Sequence, residues 1–257
     1  TRADATRFAV GVKTKGNTTS ALDGPLGPAW AADFYFDSAS RRSLYQASEL
    51  GTELSISGGV PFVCDAQQAN EDSFFYYPEF TYAKLAGSGV TIGGVYTYAV
   101  VYSYVDAAGL LHQSAPAFTN AVTVPGNGTT GGNVHIMPLS VTYRDIANPG
   151  TVFADIYRTL SNGSIFYFLN RMVISNMPLA TQVQYPSASG GDNWSDGSLQ
   201  VGTTLIYTTG GVLDAVNPPA SSFQIAHRGR KAAVDETRRF VWFTKQYSEG
   251  EAPGFNE

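Results

Sequence analysis

Residues 92–105 read I-G-G-V-Y-T-Y-A-V-V-Y-S-Y-V, and this stretch decides the fold that the sequence predicts. From residue 95 onward, large side chains alternate with a second set that contains Thr, Ala and Ser. One set contains Val100 together with Tyr96, Tyr98, Tyr102 and Tyr104, which we call the tyrosine row. Alternation with a period of two, built from β-branched and aromatic residues without proline, is typical of a β-strand. We therefore predict one strand over residues 95–105.

Turn signals next to apolar runs predict two hairpins. D-A-A-G at residues 106–109 ends the first strand, and residues 110–112 begin a return strand. Asn162 and Gly163 separate the apolar runs 152–160 and 164–172. Both residue types tolerate a positive φ, so an Asn-Gly pair between apolar runs favours a tight hairpin. Together the hairpins predict a β-sandwich in the middle of the chain.

Few charged residues, many aromatic residues and many glycines characterise the whole chain. Of its 257 residues 14% are charged, and it contains 27 Gly, 15 Tyr and 15 Phe. This composition favours short strands with tight turns and argues against disorder. The net charge of −5 provides no basic footprint for gripping a phosphate backbone. The sequence contains no run of 18 apolar residues, so it predicts no membrane-spanning helix.

Cysteine usage and the first residue give two further expectations. Cys64 is the only cysteine, which excludes a disulfide framework and a cysteine-based zinc site within this sequence. We predict that Cys64 is a small buried hydrophobic residue. Because the chain begins at Thr1 and not at a methionine, we expect it to be a segment of a longer polypeptide.

Shifts in composition divide the chain into three parts, all of them β. Residues 1–84 are predicted to form the first part of a platform or propeller-like domain, residues 85–186 a fibronectin-III-like sandwich, and residues 187–257 the return to the platform. Residues 85–93 are predicted to be a linker. No segment shows sustained helical periodicity. Both flanks contain the triplet G-G-V, at residues 58–60 and 210–212, so we expect the flanks to meet in space around an inserted sandwich.

Several separated strings resemble one protein family. L-I-Y-T-T-G-G-V-L-D-A-V-N-P-P-A at residues 205–220 and V-W-F-T-K-Q-Y-S-E-G-E-A-P-G-F-N at residues 241–256 are similar to phage tail-tube nozzle proteins, the tail tubular protein B type of short-tailed bacteriophages. Residues 98–117 and 156–168 are similar to the domain that those proteins carry before these strings. The resemblance extends over residues 55–257, and the first fifty residues lie outside it.

The resemblance implies a structural virion protein of the phage tail, without enzymatic activity and without a cofactor. It implies a homo-hexameric ring below the head-to-tail adaptor, close to the tail fibre proteins, with genomic DNA passing through the channel without sequence recognition. It also implies a β-propeller-like platform with attached β domains. The alternative is a receptor-binding or glycan-binding β-propeller adhesin. A glycoside hydrolase would need two carboxylates at a defined separation, and the sequence nominates no such pair.

The residues that could carry chemistry have simpler interpretations. His112, His135 and His227 are isolated and lack a metal-ligand spacing. D-N-W-S-D-G at residues 192–197 is loosely like a calcium loop, but it lacks the middle Asp and the closing Glu, so we predict a polar turn. Asp235 and Glu236 are predicted to lie in a solubilising turn. The tyrosine row could be a sugar-binding platform, but we favour packing of a sheet face. We predict no catalytic, metal-binding or cofactor-binding residue.

One dense basic cluster remains. It comprises Arg228, Arg230, Lys231, Arg238 and Arg239. Such a cluster can contact an acidic neighbouring subunit, contact DNA phosphates in a channel, or be a solvated surface hairpin. A tube that must release DNA gains nothing from tight phosphate ligands. Between the two functional interpretations we therefore favour the subunit contact.

Overall fold

The computed structural model describes residues 7–8, 34–35, 46–59, 61–64, 69–86, 93–126, 131–136, 150–174, 183–186, 191–201, 205–206, 215–235, 237 and 239–256. Of the described residues, 54% lie in strands and 4% in helices, with the strands arranged in several antiparallel sheets. The predicted all-β class is confirmed. Near the N-terminus, β1 (Arg7–Phe8) pairs with β2 (Phe34–Tyr35).

The N-terminal sheet is an antiparallel meander of four strands. They are β3 (Gln46–Leu50), β4 (Glu53–Ser57), β5 (Phe62–Cys64) and β6 (Ala69–Glu71), paired in that order. Ile56, Cys64 and Ala69 form its small apolar cluster. Cys64 is buried, as predicted.

In the described residues, the sandwich has ten strands in two layers. They are β7 (Tyr82–Ala86), β8 (Gly94–Tyr96), β9 (Tyr98–Val105), β10 (Leu111–Gln113), β11 (Ala117–Phe118), β12 (Val122–Val124), β13 (Gly131–Ile136), β14 (Phe153–Thr159), β15 (Phe166–Val173) and β16 (Val183–Tyr185). One layer has the order β10-β9-β14-β15, with β11 also paired to β9. The other side is formed by the sheets β16-β13-β7 and β12-β8. The main hydrophobic core contains residues from both sides.

The predicted strand over residues 95–105 is in fact two strands. β8 pairs with β12, whereas β9 pairs with β10 and β14. Between them, the Thr97 N–H donates to Thr159 Oγ1 (3.1 Å) and the Thr159 N–H donates to the Thr97 carbonyl (3.0 Å). These bonds satisfy the backbone at the point where the chain passes from one sheet to the other. Both predicted hairpins are confirmed, and Asn162 has a φ of +56°.

The tyrosine row lies inside the sandwich. All four rings are at most 4% exposed, so the prediction that they pack a sheet face is confirmed. The opposite face of β9 is buried as well, because Ala99 and Val101 pack with Tyr157 and Ile206. Since both of its faces are covered, β9 is the central strand of the fold.

The C-terminal sheet is a second four-stranded meander, and it meets the N-terminal sheet. Its strands are β17 (Ser221–His227), β18 (Arg230–Asp235), β19 (Val241–Thr244) and β20 (Phe255–Asn256). The N–H groups of Gly58 and Gly59 donate to the Ser221 carbonyl (2.8 and 2.9 Å), and the Ser221 N–H donates to the Gly59 carbonyl (2.8 Å). The expectation that the two flanks meet in space is confirmed. The second G-G-V triplet, at residues 210–212, lies outside the described residues.

Elements of the sandwich extend past both predicted domain boundaries. β7 begins at Tyr82, before residue 85, and pairs with β13. The helix Asp196–Gln200 follows residue 186, yet its Leu199 is buried in the sandwich core. Ser195 caps this helix by accepting a hydrogen bond from the Ser198 N–H (3.1 Å). Five residues are too few to show a helical period in sequence. No helix in the described part of the chain has the length and hydropathy needed to cross a membrane.

Candidate functional site

Five ionisable side chains are buried where the N-terminal sheet, the sandwich and the C-terminal sheet meet. We call them the junction cluster: Glu53, Asp72, Asp106, His112 and Lys231. None is more than 7% exposed. Glu53 begins β4, Asp72 follows β6, Asp106 follows β9, His112 lies in β10 and Lys231 lies in β18. Three separate parts of the chain therefore converge on one charged site.

His112 connects the sandwich to the N-terminal sheet. Its Nε2 lies 2.9 Å from Glu53 Oε1 and 3.3 Å from Asp106 Oδ2. Its ring stacks on Tyr104, with centroids 4.3 Å apart. Burial lowers the pKa of His112, but the two adjacent carboxylates of Asp106 and Glu53 outweigh burial, so the pKa is raised. The imidazole is thus held between two carboxylates from different sheets.

The turn between β9 and β10 fixes the position of Asp106. The Leu110 N–H donates to Asp106 Oδ1 at 2.7 Å, and Oδ2 points toward His112. Burial raises the pKa of Asp106, but the bonds from His112 and the Leu110 N–H lower it further than burial raises it. The net effect is a lowered pKa, which favours the carboxylate form at this position.

Lys231 links the C-terminal sheet to the N-terminal sheet. Its Nζ lies 3.0 and 2.9 Å from the two carboxylate oxygens of Asp72 and 3.7 Å from Glu53 Oε2. Gln224 Nε2 also donates to Asp72 Oδ2 (3.3 Å). The prediction that Lys231 belongs to a surface subunit contact is wrong, because its side chain is 1% exposed and paired inside the molecule.

Of the other described members of the predicted basic cluster, Arg228 and Arg230 lie at one end of β18 and Arg239 lies beyond the other end. Arg228 and Arg230 are exposed at the turn between β17 and β18, where Arg230 Nη1 donates to the Thr244 carbonyl (2.8 Å). Arg239 is exposed beyond the opposite end of β18, just before β19. Arg238 lies outside the described residues. A strand between them keeps sequence neighbours apart, so the structure does not bring these residues together as one basic patch.

A second buried charge lies inside the sandwich. Arg158 is completely buried and pairs with Asp192 and with Asp196 (3.0 Å). Its guanidinium lies 4.9 Å from the centre of the Tyr96 ring, and Tyr98 Oη donates to Asp192 Oδ2 (3.3 Å). The two carboxylates of the loosely calcium-like turn therefore hold an arginine of the same chain. This pairing fixes residues 191–200 on the sandwich.

A half-open cavity of about 520 Å³ lies beside a third ion pair. Arg171 Nε and Nη2 donate to the two oxygens of Asp155 (2.6 and 2.8 Å), and Ser103 Oγ donates to Asp155 Oδ2 (2.6 Å). Tyr157 and Phe168 also line the cavity. Because both oxygens of Asp155 already accept hydrogen bonds, this carboxylate has a structural role in the described arrangement.

The histidines differ in a way that sequence spacing did not reveal. His227 is exposed, and His135 is buried with its ring stacked on Tyr82 (4.7 Å between centroids). Burial lowers the pKa of His135, with a smaller contribution from Lys84. In the described part of the chain, His112 is the one histidine that forms a His, Asp and Glu group. Asp106 and His112 flank a predicted turn and could have been paired from sequence, whereas Glu53 belongs to another sheet and gave no such signal.

No family model, no curated protein and no solved structure matches the chain. The resemblance to tail-tube nozzle proteins therefore stays a prediction that rests on the strings of residues quoted above.

Proposed function

We propose that this chain is a structural, non-enzymatic protein of the tail of a short-tailed bacteriophage. In this proposal it forms a homo-oligomeric ring, a hexamer by resemblance, around the DNA-ejection channel. Its neighbours would be the head-to-tail adaptor and the tail fibre proteins, and genomic DNA would pass without sequence recognition. The proposal rests on the strings 205–220 and 241–256 and is supported by one feature of the C-terminal sheet, to which residues 241–256 contribute two strands: an exposed apolar face.

The apolar face follows from the register of the C-terminal sheet. Residues directly opposite each other in an antiparallel sheet project from the same face. Phe223 is opposite Val234, which is opposite Val241; Ile225 is opposite Ala232, which is opposite Phe243. The four outer members are 37–56% exposed: Phe223, Ile225, Val241 and Phe243. A contiguous exposed apolar face of this kind is typical of a protein–protein contact.

A second copy of this chain is the partner that the charges favour. Exposed Arg228 and Arg230 lie on the strand turn at one end of the apolar face, and the chain as a whole carries a net charge of −5. A neighbouring copy would therefore offer more acidic than basic groups to these arginines. In a closed ring the contact is heterologous, so the apolar face would meet a different patch of the neighbour.

The proposed assembly can be tested by placing a charge on the apolar face. Phe243→Lys should abolish rings, because the lysine would have to be buried at the contact. The matched control is Ile165→Lys, since Ile165 is equally exposed (55%) but lies in the connection between β14 and β15. Rings would be counted by negative-stain imaging and mass photometry of the protein with its neighbouring tail proteins. Intact rings in Phe243→Lys, or no rings in the wild type, would contradict the proposal.

A glycan-binding adhesin is the second candidate, and one observation favours it. The segment that leads into β7 exposes aromatic side chains: Tyr76 (59%), Tyr77 (38%), Phe80 (65%) and Tyr82 (37%). Exposed aromatic faces provide a rigid apolar platform on which a sugar ring can stack. The buried tyrosine row does not offer one. Glycan-array binding that disappears in Tyr76→Ala with Phe80→Ala, by a protein that forms no rings, would favour this candidate.

A further inference from the structure

The junction cluster carries an imbalance of buried charge. Three carboxylates, those of Glu53, Asp72 and Asp106, face one ammonium group, that of Lys231. With a neutral imidazole at His112, two negative charges remain inside a site where no member is more than 7% exposed. Buried charge without compensation is strongly unfavourable. A proton on His112 removes half of this excess, whereas a divalent cation removes all of it.

The geometry at His112 Nε2 gives a second, independent indication. This nitrogen lies within hydrogen-bond distance of both carboxylates, but a single N–H can be directed at only one of them at a time. Glu53 Oε1 lies closer, at 2.9 Å, yet neither oxygen of Glu53 accepts a hydrogen bond from the described residues. Glu53 is 1% exposed. A buried carboxylate that accepts no hydrogen bond and lies beside a ring nitrogen can serve as a ligand for a cation.

We propose that Glu53, Asp106 and His112 form a binding site for one divalent first-row transition-metal ion, with Zn²⁺ as the best-suited probe. Their ligand atoms all lie within 4.8 Å of one another. Ligands about 2.0–2.2 Å from one metal ion lie about 3.0–3.5 Å apart, close to the observed 2.9 and 3.3 Å. One imidazole nitrogen with two carboxylate oxygens suits such an ion better than Ca²⁺ or Mg²⁺, which prefer oxygen ligands alone.

A small cavity adjoins His112, one of the three proposed ligands. This cavity of about 40 Å³ also borders Asp72 and has room for about one water molecule. Lys231 is closer to Asp72 (2.9 Å) than to Glu53 (3.7 Å), so Glu53 can bind a metal ion while Lys231 keeps its partner. The ion would join the N-terminal sheet to the sandwich. This site does not depend on the proposed function, because an adhesin with the same junction would contain it too.

Metal content of the refolded protein tests the proposal directly. Because the site is buried, the full chain, free of any affinity tag, would be unfolded and refolded with Zn²⁺, desalted, and analysed by mass spectrometry for zinc. We expect about one zinc ion per chain, and Co²⁺ in its place should give visible absorption bands of nitrogen and oxygen ligation. Less than about a tenth of an ion per chain would overturn the proposal.

Two ligand variants and one matched control locate the ion. Glu53→Gln and His112→Gln should each weaken Zn²⁺ binding by at least about tenfold, whereas His135→Gln should bind like the wild type. His135 is the suitable control because it is equally buried (3%) but lies outside the His, Asp and Glu group. Unchanged zinc content in His112→Gln would place the ion elsewhere and overturn the assignment.

A measurement on the wild type alone keeps the proposal testable if the variants do not fold. Zn²⁺ should raise the thermal unfolding midpoint of the metal-free protein, because an ion that binds only the folded state stabilises it. Mg²⁺ and Ca²⁺ at the same concentration should give a smaller rise. An unfolding midpoint that does not respond to Zn²⁺ would overturn the proposal.

Discussion

The sandwich core and the junction cluster are buried to a similar degree, but different forces hold them together. In the core, Val100 and Ile156 are completely buried among apolar neighbours. In the junction, Glu53 and Lys231 are each 1% exposed, and their neighbours are charged. The hydrophobic effect does not depend on the orientation of the buried groups, whereas a buried charge is stable only beside a group of opposite charge.

The core and the junction cluster are therefore expected to respond differently when a side-chain group is removed. A core that loses a methyl group still excludes water, so the loss of stability depends on the volume removed. The junction cannot lose one charge without leaving another uncompensated. We infer that the core supplies most of the stability, while the junction fixes how the two flanking sheets sit on the sandwich.

The largest expected effect comes from removing one charge in the junction. Lys231→Met should lower the free energy of unfolding by about 3–5 kcal/mol, because Asp72 and Glu53 remain buried without their cation. Urea unfolding followed by fluorescence measures this change. Lys84→Met is the control, since Lys84 is an exposed lysine of β7 and should change stability by less than about 0.5 kcal/mol.

A combined variant sharpens the same comparison. Lys231→Met with Asp72→Asn and Glu53→Gln removes the charges together, so much of the stability lost in Lys231→Met should return. Equal losses in the single and the combined variant would mean that the packing of the lysine stem, and not its charge, stabilises the junction.

The next largest effect is expected in the sandwich core. Ile156→Ala should cost about 3 kcal/mol, because Ile156 is completely buried between the two layers and its removal leaves a cavity. Ile156→Val removes one methyl group and should cost about 1 kcal/mol. Equilibrium unfolding of both variants gives the two values. A loss that does not depend on the volume removed would contradict the description of this region as a close-packed apolar core.

Alkaline pH should produce the smallest of the three effects, through one tyrosine of the core. Burial, with a smaller contribution from Glu79, raises the pKa of Tyr102 from its ordinary value of 10.0 to about 12. The stability that depends on the protonated phenol is complete below pH 10 and is lost as the pH rises to 12. This loss is roughly 2–3 kcal/mol at pH 12.

Unfolding free energies at pH 9 and pH 12 measure this loss, which should be smaller in Tyr102→Phe. Absorbance at 295 nm reports phenol ionisation in the folded protein. Ionisation of Tyr102 near pH 10 without unfolding would contradict the burial that the structure gives to this ring.

The difference between the sandwich core and the junction cluster also explains which parts of the structure the sequence could predict. The sandwich was predictable because the alternation over residues 95–105 and the Asn162–Gly163 turn are local signals. The passage between sheets at Thr97 was not, since a β-branched residue suits both strands equally. The junction left no local signal at all. Glu53, His112 and Lys231 come from distant parts of the chain, and only the meeting of three sheets brings them together.

For the basic cluster, the sequence predicted a spatial patch that the structure does not contain. Arg228, Arg230, Lys231 and Arg239 are neighbours in sequence, and their density predicted one patch. The hairpin register places Lys231 inside, and β18 separates Arg230 from Arg239. Charge density along a chain is therefore a poor guide to charge density in space wherever strands alternate between faces.

Phe74 precedes every strand of the sandwich, yet its ring is 1% exposed and lies 6.1 and 5.4 Å from the rings of Tyr102 and Tyr104. The core of the sandwich thus includes a side chain from the segment that joins the sandwich to the N-terminal sheet. A fragment cut at the glycine-rich stretch 85–93 would lack this ring, and the vacated slot would present bare tyrosine faces to water. A fragment designed to contain the sandwich should therefore begin before Asp72, so that it includes Phe74.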